Sequence, residues 1–414
     1  MFSLSSILRC LALTWVTITR EGARATSALW TFPAVIFSAM LIAWAAESAQ
    51  YLISQGLSLA ILAWLQTLPE FAIEGVIAWS AGKDPSQIHL VTANFTGAIR
   101  LLPGLGWPLI FFTAFIFHKL KTGKNLNCIE LEKEHCVEVM SLLPPIIYFI
   151  VIFLKETFSV IDSLVLIVFY SLYLYSLNKI PPQESETIDE LEPIPKALLS
   201  CRPIVRNSII IGLFITGGAG ILIVAVPFLE SMLALALTLG VSEFVFVQWV
   251  APFLSEFPEK VSAFYWARRV KKAPVALMNM VSSNINEWTM LAAMIPIIFS
   301  FSSGGISAIH FDQFQLVEIL LTIVQSLLAF LLLINMRFSW YEAVVLFVLW
   351  AIQLIVPSIR EEIIFVYIAW IGFCLLQIIS GSRKPQAFRD FTGVLRSYIL
   401  VAKPSSQINP QEKK

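Results

Sequence analysis

The sequence predicts an all-α polytopic membrane protein of about 10–11 transmembrane helices, built as two inverted five-helix repeats with broken helices at the bilayer midplane. Three observations predict it. Hydrophobic residues make up 57% of the 414-residue chain and charged residues only 14%, against about 25% charged in a soluble protein. The apolar residues gather into runs long enough to cross a bilayer. Finally, a Pro-Glu pair interrupts a long apolar run in each half of the chain.

So few charges cannot cover a surface of this size, so most of the exterior must face lipid. The 28 Lys and Arg balance 28 Asp and Glu, which implies no bulk attraction to nucleic acid. Cys10, Cys128, Cys136, Cys201 and Cys374 are scattered and form no disulfide framework.

Residues 1–27 form an N-terminal segment that is apolar but interrupted by Arg9, without an evident cleavage site. The first repeat, 28–178, holds spans at 28–48, 53–80, 88–118, 139–154 and 159–178. Residues 179–204 are acidic and rich in proline, and read as a solvated cytoplasmic linker. The second repeat, 205–356, holds spans at 205–227, 232–267, 273–301, 314–335 and 340–356. An extra span at 360–380 and a basic tail complete residues 357–414. Three of the long spans carry internal breaks, at Pro69, Pro103-Gly104 and Pro258.

Lys and Arg set the orientation. Odd-numbered loops and the C-terminus hold 20 of them and the alternate loops hold 3. The odd loops and the C-terminus are therefore expected in the cytoplasm, and the protein is expected in the cell (plasma or inner) membrane as a multi-pass integral protein. Arg9, Arg20 and Arg24 before the first span oppose this assignment.

The chemistry is expected where charge is buried in lipid, because such residues are costly and mark functional sites. Gln66-Thr67-Leu68-Pro69-Glu70 lies in the second span and Ser255-Glu256-Phe257-Pro258-Glu259 in the seventh. Each precedes a small-polar cluster: Thr92-Ala93-Asn94-Phe95-Thr96-Gly97 in one half, Ser282-Ser283-Asn284-Ile285-Asn286-Glu287 in the other. Proline lacks an N–H and clashes with the carbonyl four residues back, so the helix breaks. Freed carbonyls are tolerable at that depth only beside a polar cavity. A glutamate at the break adds an anionic oxygen. Oxygen-only groups in a flexible shell suit Ca²⁺, and the absence of His and Cys from both motifs argues against zinc.

The paired Pro-Glu breaks, each followed by a Ser/Asn cluster, resemble the α-repeats of the Ca²⁺/cation antiporter superfamily, which includes the sodium/calcium exchangers. Ser255-Glu256-Phe257-Pro258-Glu259 is similar to that family's G-T-S-x-P-E, and Ser283-Asn284-Ile285-Asn286-Glu287 to its G-S-N-I-x-[ND]. The resemblance implies a secondary antiporter working by alternating access. Glu70 and Glu259 would be its central cation ligands, with Thr67, Ser255, Glu256, Ser283 and Glu287 around them. In the first repeat, Ala93 and Gly97 fall where the family has side-chain oxygens. Asn94 and Asn284 are placed either to coordinate or to cap a broken helix. Glu74, one turn beyond Glu70, is placed to ion-pair with Arg100 or to touch a cation. Lys260 adjoins Glu259 as a second charge partner.

No resident cofactor is implied; the expected partners are inorganic cations and the lipid bilayer. The sequence leaves the oligomeric state open. The sequence lacks an H-E-x-x-H, an intramembrane aspartate pair and a P-loop, which opposes a protease or an ATP-driven pump. A non-transporting scaffold or sensor is the alternative. Cys128, Glu130, Glu132, Glu134, His135 and Cys136 read as a solvated helix rather than a soft-metal site. Glu70, Glu256, Glu259 and Glu287 against Arg100 and Lys260 carry a formal charge of −2. Like charges and desolvation disfavour full ionisation of such a cluster, so it is expected to take up protons as calcium leaves. Proton coupling is accordingly favoured over sodium.

Overall fold

The computed structural model describes residues 24–49, 58–180 and 191–400. The first half opens with α1 (Ala28–Ala49), followed by α2 (Ser58–Gln66) and α3 (Leu68–Lys83), which are two pieces of one interrupted span. Next come α4 (Ile88–Leu101), a π-helical turn (Leu102–Gly106) and α5 (Trp107–Thr122) as one continuous rod. A short α6 (Cys136–Ser141) leads into α7 (Leu143–Lys155), and α8 (Val160–Lys179) closes the half. After α9 (Pro193–Leu199), the second half repeats this order. It runs through α10 (Pro203–Leu239), the interrupted pair α11 (Glu243–Ser255) and α12 (Phe257–Ala267), and α13 (Ala273–Asn286). A π-helical turn (Glu287–Leu291) joins α13 to α14 (Ala292–Ser303), and α15 (Gln313–Leu333) and α16 (Trp340–Ile355) follow. The extra span is α17 (Arg360–Ile379), with the amphipathic α18 (Gln386–Val394) behind it.

Two short antiparallel ribbons show how the halves face each other. β1 (Cys128–Glu130), between the third and fourth spans, pairs with β4 (Arg337–Ser339), between the ninth and tenth; Ile129 faces Phe338. β2 (Thr157–Phe158), between the fourth and fifth, pairs with β3 (Ile309–His310), between the eighth and ninth. The third loop of one repeat therefore sits beside the fourth loop of the other, at both ends of the molecule. Only repeats that run oppositely through the membrane can do this. The same pairing puts loops three and nine on one side, and four and eight on the other.

Polarity is turned inside out. Leu172, Ile204, Leu222, Ile223, Phe365 and Ile379 are exposed, as lipid-facing residues should be. Glu70, Glu74, Arg100, Glu287 and Glu318 are fully buried between helices. Eight helical segments are long and apolar enough to cross a membrane. The interrupted pairs α2–α3 and α11–α12 and the shorter α16 raise the described spans to eleven.

Four expectations change. Pro103-Gly104 does not break its helix, because the π turn absorbs the proline. Gly104 is required there, since a Cβ would lie 2.3 Å from the Trp350 ring. Second, the sixth span does not end near residue 227. Pro227 is held within a 37-residue α10, which stops at Gly240 in the left-handed conformation (φ 67°). Third, the linker is not wholly solvated. Residues 181–190 lie outside the described residues, but Glu192 is buried and accepts from Trp44 Nε1 (3.0 Å) and Ser262 Oγ (3.1 Å). Fourth, the 128–136 cluster is not a solvated helix: Cys128–Glu130 is strand and Cys136 is fully buried. Residues 1–23 of the N-terminal segment, with its anomalous Arg9 and Arg20, lie outside the described residues.

Candidate cation-binding site

Each interruption is a single residue wide. Thr67 (φ −83°, ψ −2°) separates α2 from α3, and Glu256 (φ −91°, ψ 6°) separates α11 from α12. Pro69 and Pro258 follow two residues later, at the start of the second piece, where a missing N–H costs least. They remove the donors that the Leu65 and Leu254 carbonyls would otherwise meet. Thr67 Oγ1 bonds back to its own helix, donating to Trp64 O (3.0 Å), and Ser255 Oγ lies 2.9 Å from Ala251 O with its proton free to turn elsewhere.

Glu70 and Glu259 each sit on the first turn after a break, and each is gripped by the polar cluster of its own repeat. Asn94 Nδ2 donates to Glu70 Oε1 (2.5 Å), and Ser283 Oγ donates to Glu259 Oε1. Both pairs are separated by 24 residues. Asn94 thus does at Glu70 what Ser283 does at Glu259, so the first repeat supplies a side-chain amide beside its glutamate.

Other bonds cross between the repeats. Ser255 Oγ donates to Glu70 Oε2, Asn286 Nδ2 to Thr67 Oγ1 (2.5 Å), and Asn284 Nδ2 to the Ile99 carbonyl (3.1 Å). The structure thus brings Thr67, Glu70 and Asn94 together with Ser255, Ser283, Asn284, Glu259 and Glu287 in one buried region. Asn286, absent from the expected set, joins them. Glu256 is paired with Lys260 one turn on (2.7 Å), so Lys260 partners Glu256 rather than Glu259. Asn284 Nδ2 lies 3.5 Å from Glu287 Oε2.

The groups left over share one chemistry. Glu74 Oε1, Asn94 Oδ1, Glu256 Oε1, Glu259 Oε2, Asn284 Oδ1, Asn286 Oδ1 and Glu287 Oε1 are buried without a hydrogen-bond partner. All are oxygens, able only to accept unless protonated. Buried acceptors are normally satisfied, and a concentration of them is suited to a cation or a proton. Among the described residues, no three Asp, Glu, His or Cys side chains converge as a metal cage. The oxygens instead come from a mixture of carboxylates, amides and hydroxyls.

Arg100 is not where the sequence suggested. Glu74 Oε2 accepts from Asn94 Nδ2 (2.7 Å), so one amide bridges Glu70 and Glu74. Six residues along α4 turn Arg100 about 120° away from Asn94. Its guanidinium meets Glu318 Oε2 (2.6 Å) and Gln353 Oε1 (3.1 Å) instead. Glu318, Gln248, Gln325 and Gln353 escaped sequence reasoning, although a buried acid or amide in an apolar helix is itself a signal.

A family model described as "sodium/calcium exchanger protein" matches residues 24–177 and 209–358, both halves of this architecture. The chain belongs to the sodium/calcium exchanger protein family. Among solved structures, the H⁺/Ca²⁺ exchanger CAX is 33% identical, with a TM-score of 0.82 over 95% of this chain and 98% of that one. The sodium-calcium exchanger NCX_Mj, soaked with Na⁺ and Sr²⁺, is 18% identical, with a TM-score of 0.52 over 82% of this chain and 99% of that one. This second likeness concerns the fold. Comparison with curated proteins finds no match. The family is one of multi-pass membrane transporters, and this member keeps its two-repeat, broken-helix plan.

Proposed function

We propose that the protein is a secondary antiporter that exchanges Ca²⁺ for H⁺ by alternating access, with Glu70 and Glu259 as the central cation ligands. The observation that carries this reading is the pair of buried carboxylates at opposed helix breaks, surrounded by unpartnered oxygens. An all-oxygen set of carboxylates, amides and hydroxyls suits a hard, flexible-coordination ion. Thr67, Ser255, Ser283, Asn94, Asn284, Glu256 and Glu287 complete the shell. Buried unpaired carboxylates are expensive without a counter-charge, so a leaving Ca²⁺ must be replaced by protons or other cations. That replacement is antiport.

Protons are favoured over sodium on two grounds. The 33% identity over 95% of the chain is to a protein described as an H⁺/Ca²⁺ exchanger, whereas the likeness to the sodium-calcium exchanger is of fold. Carboxylates outnumber hydroxyls around the breaks, and carboxylates can hold protons. The excess of Lys and Arg in the odd loops supports a cytoplasmic side there, and the cell membrane is the proposed location.

The test is uptake of radiolabelled calcium into proteoliposomes at clamped membrane potential, with a pH gradient and no sodium. Uptake that follows the pH gradient is expected. Flux driven by a sodium gradient alone would overturn the proton assignment, and no flux under either gradient would overturn the exchanger itself.

A further inference from the structure

A second buried polar assembly stands apart from the candidate cation site. Glu318 on α15 is fully buried and lies between two arginines: Arg100 on α4 at 2.6 Å and Arg360 on α17 at 2.8 Å. Gln248 on α11 joins it three ways. Its Nε2 donates to Glu318 Oε2 (2.7 Å) and to Thr96 Oγ1 (3.1 Å), and its Oε1 accepts from Arg360 (3.1 Å). Gln353 on α16 accepts from Arg100 (3.1 Å) and donates to Tyr367 OH on α17 (2.7 Å). Two guanidinium groups and one carboxylate thus tie a helix of the first repeat to three of the second and to the extra span.

The position of this assembly gives it a task. Glu70 is held from two helices: by Asn94 of α4 on one oxygen and by Ser255 of α11 on the other. The spacing of α4 and α11 therefore sets where that carboxylate points. Thr96 lies two residues beyond Asn94, and Gln248 lies seven before Ser255, two turns along the same face. At that level the two backbones almost touch, because a Cβ on Gly97 would fall 1.9 Å from the Gln248 carbonyl. Arg360 meets Glu318 through one terminal nitrogen and Gln248 through the other, a rigid two-armed geometry that a point-like ammonium does not reproduce.

We propose that the Arg100–Glu318–Arg360 cluster is the positioning device of the first-repeat half of the site. It fixes the approach of α4 to α11 and brings the eleventh span, outside both repeats, into control of cation affinity. Its effect on affinity rests on the reading of Glu70 as a ligand; its effect on helix spacing does not.

Two variants test it in the full-length protein. Replacing all three residues by apolar ones of similar size (Arg100→Met, Glu318→Leu, Arg360→Met) leaves no buried charge unpaired, and such exchanges are commonly neutral or stabilising. Arg360→Lys keeps the charge and removes the fork, and it serves if the triple variant does not fold. Calcium binding is read by calorimetry beside Tm. The α4–α11 spacing is read without calcium, by pulsed electron resonance between labels on Ser86→Cys and Ser242→Cys at the exposed outer ends, with the native cysteines replaced. Either variant should retain Tm within a few degrees, weaken calcium binding at least fivefold and broaden or shift the distance distribution. Unchanged distance and unchanged affinity would mean the cluster only glues helices, and would overturn the proposal. A shifted distance in a protein that binds no calcium even unmutated would uphold the positioning role while refuting the calcium reading.

Discussion

Glu70 and Glu259 are held by different partners in matching ways. Asn94 and Ser255 donate to the first, Ser283 to the second, and each carboxylate sits one turn past a proline break. Glu70→Gln and Glu259→Gln keep volume and most hydrogen bonds while removing charge. Each should abolish calcium uptake in proteoliposomes, with the gel-filtration profile and Tm of the parent. Ser283→Ala removes one neutral oxygen and should weaken calcium binding about 5–10-fold, the equivalent of about 1–1.4 kcal/mol for a single hydrogen-bonding group. These residues were legible because Pro-Glu recurs in both halves with a polar cluster behind it. The partner of Arg100 was not. Glu318 is 218 residues away and lies near the start of its helix, where an acid reads as interfacial. Asn94's grip on Glu70 was less legible, because the first cluster does not keep the family's letters.

At the scale of elements, composition and proline placement located the spans, while the joints between them depended on contacts that sequence does not display. Pro103 and Pro227 carry the same breaking signal as Pro69 and Pro258, but a π turn houses one and an uninterrupted helix carries the other. The small residues at helix crossings act through space. Gly97→Ala would drive a methyl into the Gln248 carbonyl; it should destabilise the protein by about 1–3 kcal/mol, as overpacking does, and calcium binding should fall with it. Thermal unfolding and calorimetry measure both. The ribbon registers offer a separate check. Cys128 stands opposite Ser339, and paired strand positions are within disulfide reach. Ser339→Cys should therefore cross-link to Cys128 under mild oxidation in membranes, detected by peptide mass mapping. Absence of that link would argue against loops three and nine sharing a side.

Across the whole molecule, the inverted order of the repeats follows from chemistry that must be buried in lipid yet reached from both faces. Ten spans make the two halves, which meet at the site through bonds such as Asn286 to Thr67 and Ser255 to Glu70. The linker, expected to be solvated, instead sends Glu192 to Trp44 and Ser262, near the inner ends of α1 and α12. Composition could not reveal that, because an acidic stretch reads as solvated whether or not one of its carboxylates is captured. If protons and calcium compete for the same carboxylates, calcium binding must weaken as pH falls and must expel protons as it occurs. Calorimetric titration of the purified protein with Ca²⁺, repeated in buffers of different ionisation enthalpy, counts those protons directly. The account predicts proton release in the parent protein and its loss, along with calcium binding, in the Glu70→Gln/Glu259→Gln double variant. Calcium binding that releases no protons and survives both substitutions would contradict it.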